Sequence, residues 1–434
     1  MPLTGHRTFV GFGFGAIQAG LFLYEAFRSG GFARLVAGEV APDAVSDLRR
    51  HAGCFAVNVA RADRVEVARV GPVQFEDPAE PADIARLVDA IAEAEEMATA
   101  VPSVRHYTAA GPGSIHRILA QGLRKKSSHG GPRAVIYAAE NHNHAAELLE
   151  EAVFREIPEA EKAAVHQRVC FLNTVIGKMS GAVSAGEIQK GELAAITPQN
   201  SRAFLVESFN RILISQVHFP PLIGEPLFHR GLGTFVEKED LLPFEEAKLY
   251  GHNATHALAA YLCALRGFDC IADLRQDPDL LVFVQTAFLK ESGEALIRKH
   301  AGRDRLFTPE GYREYAHDLL ERMTNPYLQD TVERVGRDPH RKLGWDDRLV
   351  GTMRLALQQN LVPRRYALGA AAALSVLDRS FLQTDVPARD LLAPIWGEAA
   401  MQSKDAPDIL NLIAAARPRL KQWCASGFQK TSSL

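Results

Sequence analysis

The stretch TFVGFGFGAIQAGLFLYEAFRSG, Thr8 to Gly30, decides how the amino-terminal half of the chain folds. It opens on apolar, β-prone residues, closes on a helical run, and fills the junction with Gly11, Gly13 and Gly15. A strand that turns into a helix through glycines brings its backbone close to whatever lies at the helix N-terminus, where unpaired amides and the helix dipole favour an anion such as a pyrophosphate. Gly13 and Gly15, followed by Ala16 and Ile17 at the start of the helix, are therefore candidate cofactor contacts. The third glycine of the usual GxGxxG is Gln18 here, with Gly20 two residues later. Glycine turns of this kind also occur without a nucleotide, but the position at the first strand-to-helix turn favours one.

Outward from this loop, short apolar runs alternate with amphipathic ones. TFVGFGF, ARLVAGEV, AVNVAR, SVRHYTAAG, RAVIYAAE and RVCFLNTVI read as strands, and PADIARLVDAIAEAEEMAT, SIHRILAQGLRKK and HAAELLEEAVFREI as helices between them. That alternation predicts an α/β unit, a Rossmann-type, mostly parallel sheet over residues 1–203. From residue 204 to 434 the pattern changes to long helical periodicities, such as ATHALAAYLCALRG and TPEGYREYAHDLLERM, and predicts a mainly α-helical second domain. Thr308 is placed as an N-cap with Pro309 at the first helical position, and Gly267 as a C-cap.

Composition excludes several classes of function. A chain of 434 residues with 47% hydrophobic and 23% charged residues can bury a large core, and a net charge of −3 without long runs of one sign gives no footprint for nucleic acid or an anionic membrane. The five cysteines, Cys54, Cys170, Cys263, Cys270 and Cys424, are scattered and form no CxxC pair, which fits a reducing compartment and no structural zinc. MPLTGHRTFVGFG has no basic region followed by an apolar stretch, so a cytoplasmic location is expected, and no apolar run reaches the roughly 18 residues of a membrane span.

Four further stretches carry chemistry. Glu39 ends the second strand; an acid there accepts hydrogen bonds from ribose hydroxyls and repels a 2'-phosphate, so NAD is expected rather than NADP. Gly111, in AAGPGSI, opens the backbone before another helix, either as a second place for the dinucleotide or as a plain turn. Asn141, in AAENHNH, follows a strand and would point into the crevice where open parallel sheets bind ligands. Lastly, KLYGHNATH puts Lys248, His252, Asn253 and His256 within one stripe if the segment is an α-helix at about 100° per residue. That stripe either faces a ligand or is a wet helix face. A nicotinamide dehydrogenase acting on a secondary alcohol needs a base for the hydroxyl proton and donors for the oxygen. With no metal-ligand spacing in the sequence, a desolvated Lys248 with a lowered pKa suits the first task, and Asn253 and Asn141 suit the second.

These residues resemble those of the polyol-specific long-chain dehydrogenases and reductases, the mannitol dehydrogenase family. The family pattern is a lysine, four residues, an asparagine, two residues and a histidine, met here by Lys248, Asn253 and His256. The resemblance implies that Lys248 is the general acid/base, that Asn253 and Asn141 polarise the substrate oxygen, and that His256 rather than His252 orients the substrate. TAAGPGSIHRILAQGL, LNTVIGKM, FLVESF and RDPHRKLGWDDRL look like family landmarks in the expected order. The last is most similar to the mannitol-1-phosphate 5-dehydrogenase branch, and there Arg341, Lys342 and Arg348 supply cations suited to a phosphate or to several hydroxyls, or else form a solvated turn. The reaction implied interconverts a polyol or its phosphate and the matching ketose with NAD and without metal. A binding protein that senses NAD and has lost catalysis is the competing class.

Overall fold

The computed structural model describes residues 7–220 and 228–428 and divides into two compact units, with the division between Leu241 and Leu242. The strands of the first unit are β1 (Arg7–Phe12), β2 (Phe32–Gly38), β3 (Phe55–Ala60), β4 (Val65–Val70), β5 (Gln74–Glu76), β6 (Glu96–Thr99), β7 (Ala134–Ala138), β8 (Val169–Val175), β9 (Ser180–Val183), β10 (Ala203–Glu207), β11 (Ile212–Ser215) and β12 (Phe235–Lys238). The main sheet runs β12-β11-β8-β7-β6-β1-β2-β5, and a smaller one runs β4-β3-β10-β9. From β5 to β8 every neighbouring pair is parallel, and only β8 and β11 pair antiparallel in the main sheet. The expected Rossmann-type, mostly parallel unit is therefore present, followed by a helical one.

β1 sits between β2 and β6, so the chain first winds to one side of β1 and then crosses to the other. Strand ends at such a reversal of order diverge and leave a crevice at their carboxyl ends. Phe9 and Val10 on β1 are fully buried on its two faces, as the near-continuous apolar run of a parallel strand demands. The helical stretch after β1 is covered by the smaller sheet. Gly20 makes that possible, because a Cβ there would fall 2.5 Å from a methyl of Val206 on β10.

Two expectations change. SVRHYTAAG is not a strand: Pro102 offers no N–H, and Ser103 accepts a hydrogen bond from Arg105 N to start a 3-10 turn over Val104–Thr108. The strand is Glu96–Thr99 instead, four wholly buried residues that the sequence disguises as the end of a helix. That helix, Pro81–Glu93, stops where Ala94 turns extended. The unit boundary also lies later than residue 203, because β10 pairs with β3 and β9, and β11 pairs with β8, so both are sheet members of the first unit.

In the second unit, Thr308 caps Pro309–Met323 by accepting from Gly311 N, and Gly267 ends Ala254–Arg266 at φ 79°. The helix after the RDPHRKLGWDDRL stretch runs over Val350–Gln358. Among the described residues, no helix is long and apolar enough to cross a membrane.

The helices Pro81–Glu93 and Ile115–Ser128 pack at Gly122, where a Cβ would lie 2.5 Å from Ile91 Cβ. Gly122→Val should therefore overpack the interface and lower stability by about 1–3 kcal/mol, read as a lower urea midpoint at unchanged slope. A midpoint equal to that of the unchanged protein would show that the two helices can part at no cost.

Candidate active site

Gly13 follows β1 at φ 85°, a conformation that L side chains rarely adopt. Its N–H donates to Gly38 O at 2.8 Å, and a Cβ on it would meet Ala100 O at 2.8 Å. The backbone after β1 is thus clamped between the ends of β2 and β6. Gly15 is exposed, and a Cβ there would meet nothing within 4 Å. Ala16 and Ile17 begin the helix, and Ala19 N closes its first turn on Gly15 O at 2.9 Å. Gln18 is fully buried against β1, its amide without a hydrogen-bond partner among the described residues. A Cβ on Gly11 would fall 1.9 Å from Gln18 Nε2, so the glycine of β1 makes room for the side chain that departs from the GxGxxG pattern.

Glu39 follows β2 directly; its N–H donates to Glu76 O at 3.0 Å and its carboxylate accepts from Ala41 N at 2.9 Å. Tight glycines after β1 and an acid after β2 fit a dinucleotide along the ends of β1, β2 and β6. Gly111 lies in the turn before Ile115–Ser128 at φ 95° rather than at a strand end, because the strand it was expected to follow is the 3-10 turn.

Asn141 is exposed in the turn after β7. The residue before it, Glu140, went unremarked in the sequence, although it stands beside a polar cluster. Its buried carboxylate accepts from Val101 N at 2.9 Å, from Thr99 Oγ1 at 2.9 Å and from the Tyr107 hydroxyl. Burial raises its pKa, and those three donors hold it down in part. Glu140 so ties the ends of β6 and β7 together next to Asn141.

The second unit brings Lys248, Asn253 and His256 into one continuous helical stretch, but not as a plain α-helix. Ala247–Asn253 is a π-helical turn that passes into the α-helix Ala254–Arg266 at Asn253. In a turn closed by i→i+5 bonds each cycle takes up an extra residue, which brings Asn253 back toward the side of Lys248. The two residues thus fall closer around the helix than the roughly 100° per residue of an α-helix would put them. Lys248 is half-buried, and its pKa falls to about 8: burial is the main cause, opposed by Glu245 and assisted by Arg348. His252 is buried, and desolvation with His256 beside it holds its pKa well below the usual value. It is therefore neutral at pH 7.

His256 Nε2 lies 3.0 Å from Asp330 Oδ2, at ion-pair distance but without the alignment of a hydrogen bond. Burial alone would raise the Asp330 pKa, yet His256 and Arg334 together hold it below the usual carboxylate range. No sequence signal links Asp330 to His256, since they lie on different elements. Of the three candidate cations, Arg341 is exposed and paired with Asp338 at 3.1 Å, while Lys342 is buried and donates to Arg337 O. Arg348 pairs with Asp347 at 2.8 Å, and its charge acts on both Lys248 and His252. Among the described residues, no group of three or more His, Cys, Asp or Glu is placed to hold a metal ion.

Comparison with known proteins shows the family. Residues 7–222 match the mannitol dehydrogenase Rossmann domain and residues 240–415 the mannitol dehydrogenase C-terminal domain. Among solved structures the chain is similar to Pseudomonas fluorescens mannitol 2-dehydrogenase in a ternary complex with NAD and D-mannitol, at 16% identity and a TM-score of 0.69 over 99% of this chain and 95% of that one. It is also similar to a substrate-free D-sorbitol dehydrogenase, at 15% identity and a TM-score of 0.74 over 98% of this chain and 96% of that one. The chain belongs to the mannitol dehydrogenase family.

With Glu39 at the end of β2, kcat/KM for NAD should exceed that for NADP, and Glu39→Ser should narrow the gap by improving NADP. Equal use of both cofactors by the unchanged protein would remove Glu39 from the cofactor site.

Proposed function

We propose that this member of the mannitol dehydrogenase family interconverts a polyol phosphate and its ketose phosphate in the manner of a mannitol-1-phosphate 5-dehydrogenase, with Lys248 as general acid/base and without a metal ion. The observation that carries the chemistry is a half-buried lysine held near pKa 8 in a π turn that ends on Asn253. NAD, held by the backbone at Gly13 and Gly15 and by Glu39, would supply the hydride acceptor for the carbon that carries the hydroxyl. Neutral Lys248 takes the hydroxyl proton as that hydride leaves, and the ammonium returns it in reduction. The Asn253 amide donates to the oxygen on which charge develops. Asn141 enters the reading as a second donor on the sequence pattern alone. His256 orients a substrate hydroxyl, with Asp330 standing 3.0 Å from its ring.

The phosphate rests on the segment Arg337–Leu349 and on Arg348, the cation there whose charge reaches Lys248. One observation favours an unphosphorylated polyol as the second reading: Arg341 and Lys342 are both engaged elsewhere, with Asp338 and with Arg337 O. NADH oxidation with a panel of ketoses, ketose phosphates and hexuronates separates the two, and no turnover with any of them despite tight NADH binding would return the protein to the class of NAD sensors. The five cysteines are free, which supports a place in the reducing cytoplasm.

Polyol oxidation should rise with pH through about 8, because the base is the neutral amine, and ketose reduction should fall through the same value. Lys248→Ala should lose several orders of magnitude in kcat, and Asn253→Ala on the order of 10²- to 10³-fold. Near-normal turnover and an unchanged pH profile in Lys248→Ala would sink the mechanism.

Exhaustive dialysis against a chelator should leave the rate unchanged. A loss that zinc restores would show that a metal, not Lys248, handles the proton.

A further inference from the structure

In the second unit two π turns meet at one tyrosine ring. Ala247–Asn253 carries Lys248 and Asn253, and Phe288–Gly293 packs against it. Tyr312, from the helix Pro309–Met323, is buried with 1% of its surface exposed. A Cβ on Gly251 would fall 2.6 Å from Tyr312 Oη and 3.2 Å from Phe288 Cε2. A Cβ on Gly293 would fall 2.7 Å from Tyr312 Cε1. Each π turn therefore presents a glycine to the same ring. The ring has nowhere to swing, since Phe288 and Tyr315 each stand edge-on to it with centroids 5.5 Å away.

Stability alone gives no reason for a tyrosine here. Its buried hydroxyl makes no aligned hydrogen bond among the described residues, although Ser292 acts on it and lowers its pKa in part, and a hydroxyl so placed is costly to bury. Burial also pushes the phenol well above its usual pKa, so it exchanges no proton near neutral pH. A π turn is rare in itself and persists where its surroundings favour it.

We infer that Tyr312 is a positioning residue: its ring, wedged against Gly251 and Gly293, holds Ala247–Asn253 in its wide turn and thereby sets the placement of Lys248 relative to Asn253. This rests on the reading of Lys248 as the proton-handling group. The consequence is a steric pairing between positions 251 and 312. A methyl group at 251 displaces the turn while Oη is present and is accommodated when Oη is removed, because the next contact, at 3.2 Å, requires an adjustment of only a few tenths of an ångström.

The test is a double-mutant cycle read in kcat, KM, NADH affinity and pH profile. Gly251→Ala should lower kcat about 10- to 100-fold, the loss expected when reacting groups are misplaced by about 1 Å. It should leave NADH affinity unchanged and move the oxidation profile away from about 8. Tyr312→Phe should stay within about 3-fold of the unchanged enzyme, its hydroxyl making no aligned hydrogen bond, and Gly251→Ala combined with Tyr312→Phe should recover most of the lost kcat. Should Gly251→Ala fail to fold, Tyr312→Leu replaces it: vacating the wedge should lower kcat with NADH affinity intact. The inference is overturned if Gly251→Ala keeps normal kcat and pH profile, if the double variant is no better than the single one, or if the substituted Tyr312→Leu turns over normally. Lys248→Ala, measured beside them, tells the two failures apart. Inactive Lys248→Ala with a normal Gly251→Ala sinks the wedge alone, whereas active Lys248→Ala sinks the acid/base reading and the wedge with it.

Discussion

The architecture of the first unit depends on how closely the backbone after β1 approaches its neighbours. Gly13 sits 2.8 Å by its N–H from Gly38 O and has no room for a Cβ against Ala100 O, so the ends of β1, β2 and β6 are fixed as one edge. Around that clamp the rest follows. β1 is flanked by β2 and β6, the strand order reverses there, and the crevice opens at the carboxyl ends of the strands. Glu39 on one side and the Glu140 network on the other are carried to that edge by the strands they follow.

Charge burial is the second constraint, and each unit answers it with backbone. Glu140 takes Val101 N together with two hydroxyls, and Glu291 takes the N–H groups of Arg365 and Tyr366 at the start of Arg364–Leu377. Lys126, fully buried, donates to the carbonyls of Ala92, Ala94 and Pro132, and its pKa falls to about 7 because desolvation outweighs the charges of Glu95 and Glu93. Carboxylates pair with backbone amides and the lysine with backbone carbonyls, as the polarity of the peptide groups requires. Lys248 shares the desolvation, and its lowered pKa makes it useful as a base near neutral pH.

The helical unit meets a different demand, a change of helical pitch in the middle of the segment that carries Lys248 and Asn253. Gly251 admits the Tyr312 ring, Thr255 Oγ1 lies 2.8 Å from the Tyr366 hydroxyl, and that hydroxyl donates to Ser292 Oγ at 3.1 Å. Thr255 and Gly251, poor helix formers taken singly, are thus tertiary contacts on either side of Asn253.

The sequence by itself determined the order of elements and the chemistry of the residues. Alternating apolar runs with glycines at the first turn admit one economical fold, and Thr308 and Gly267 announce helix ends because caps are local effects. Lys248, Asn253 and His256 stand out together in the sequence because they lie within one short segment. What only the tertiary structure decided was whatever depends on partners far along the chain. Glu96–Thr99 is a strand because neighbours bury it on both faces, against the helical look of its alanines and glutamates. The π turn at Lys248 reflects a ring supplied from position 312, and the partner of His256 comes from position 330. Local pattern carries propensity and capping; pitch, burial and the pKa values that follow from burial are set by contacts between segments that the sequence does not place side by side.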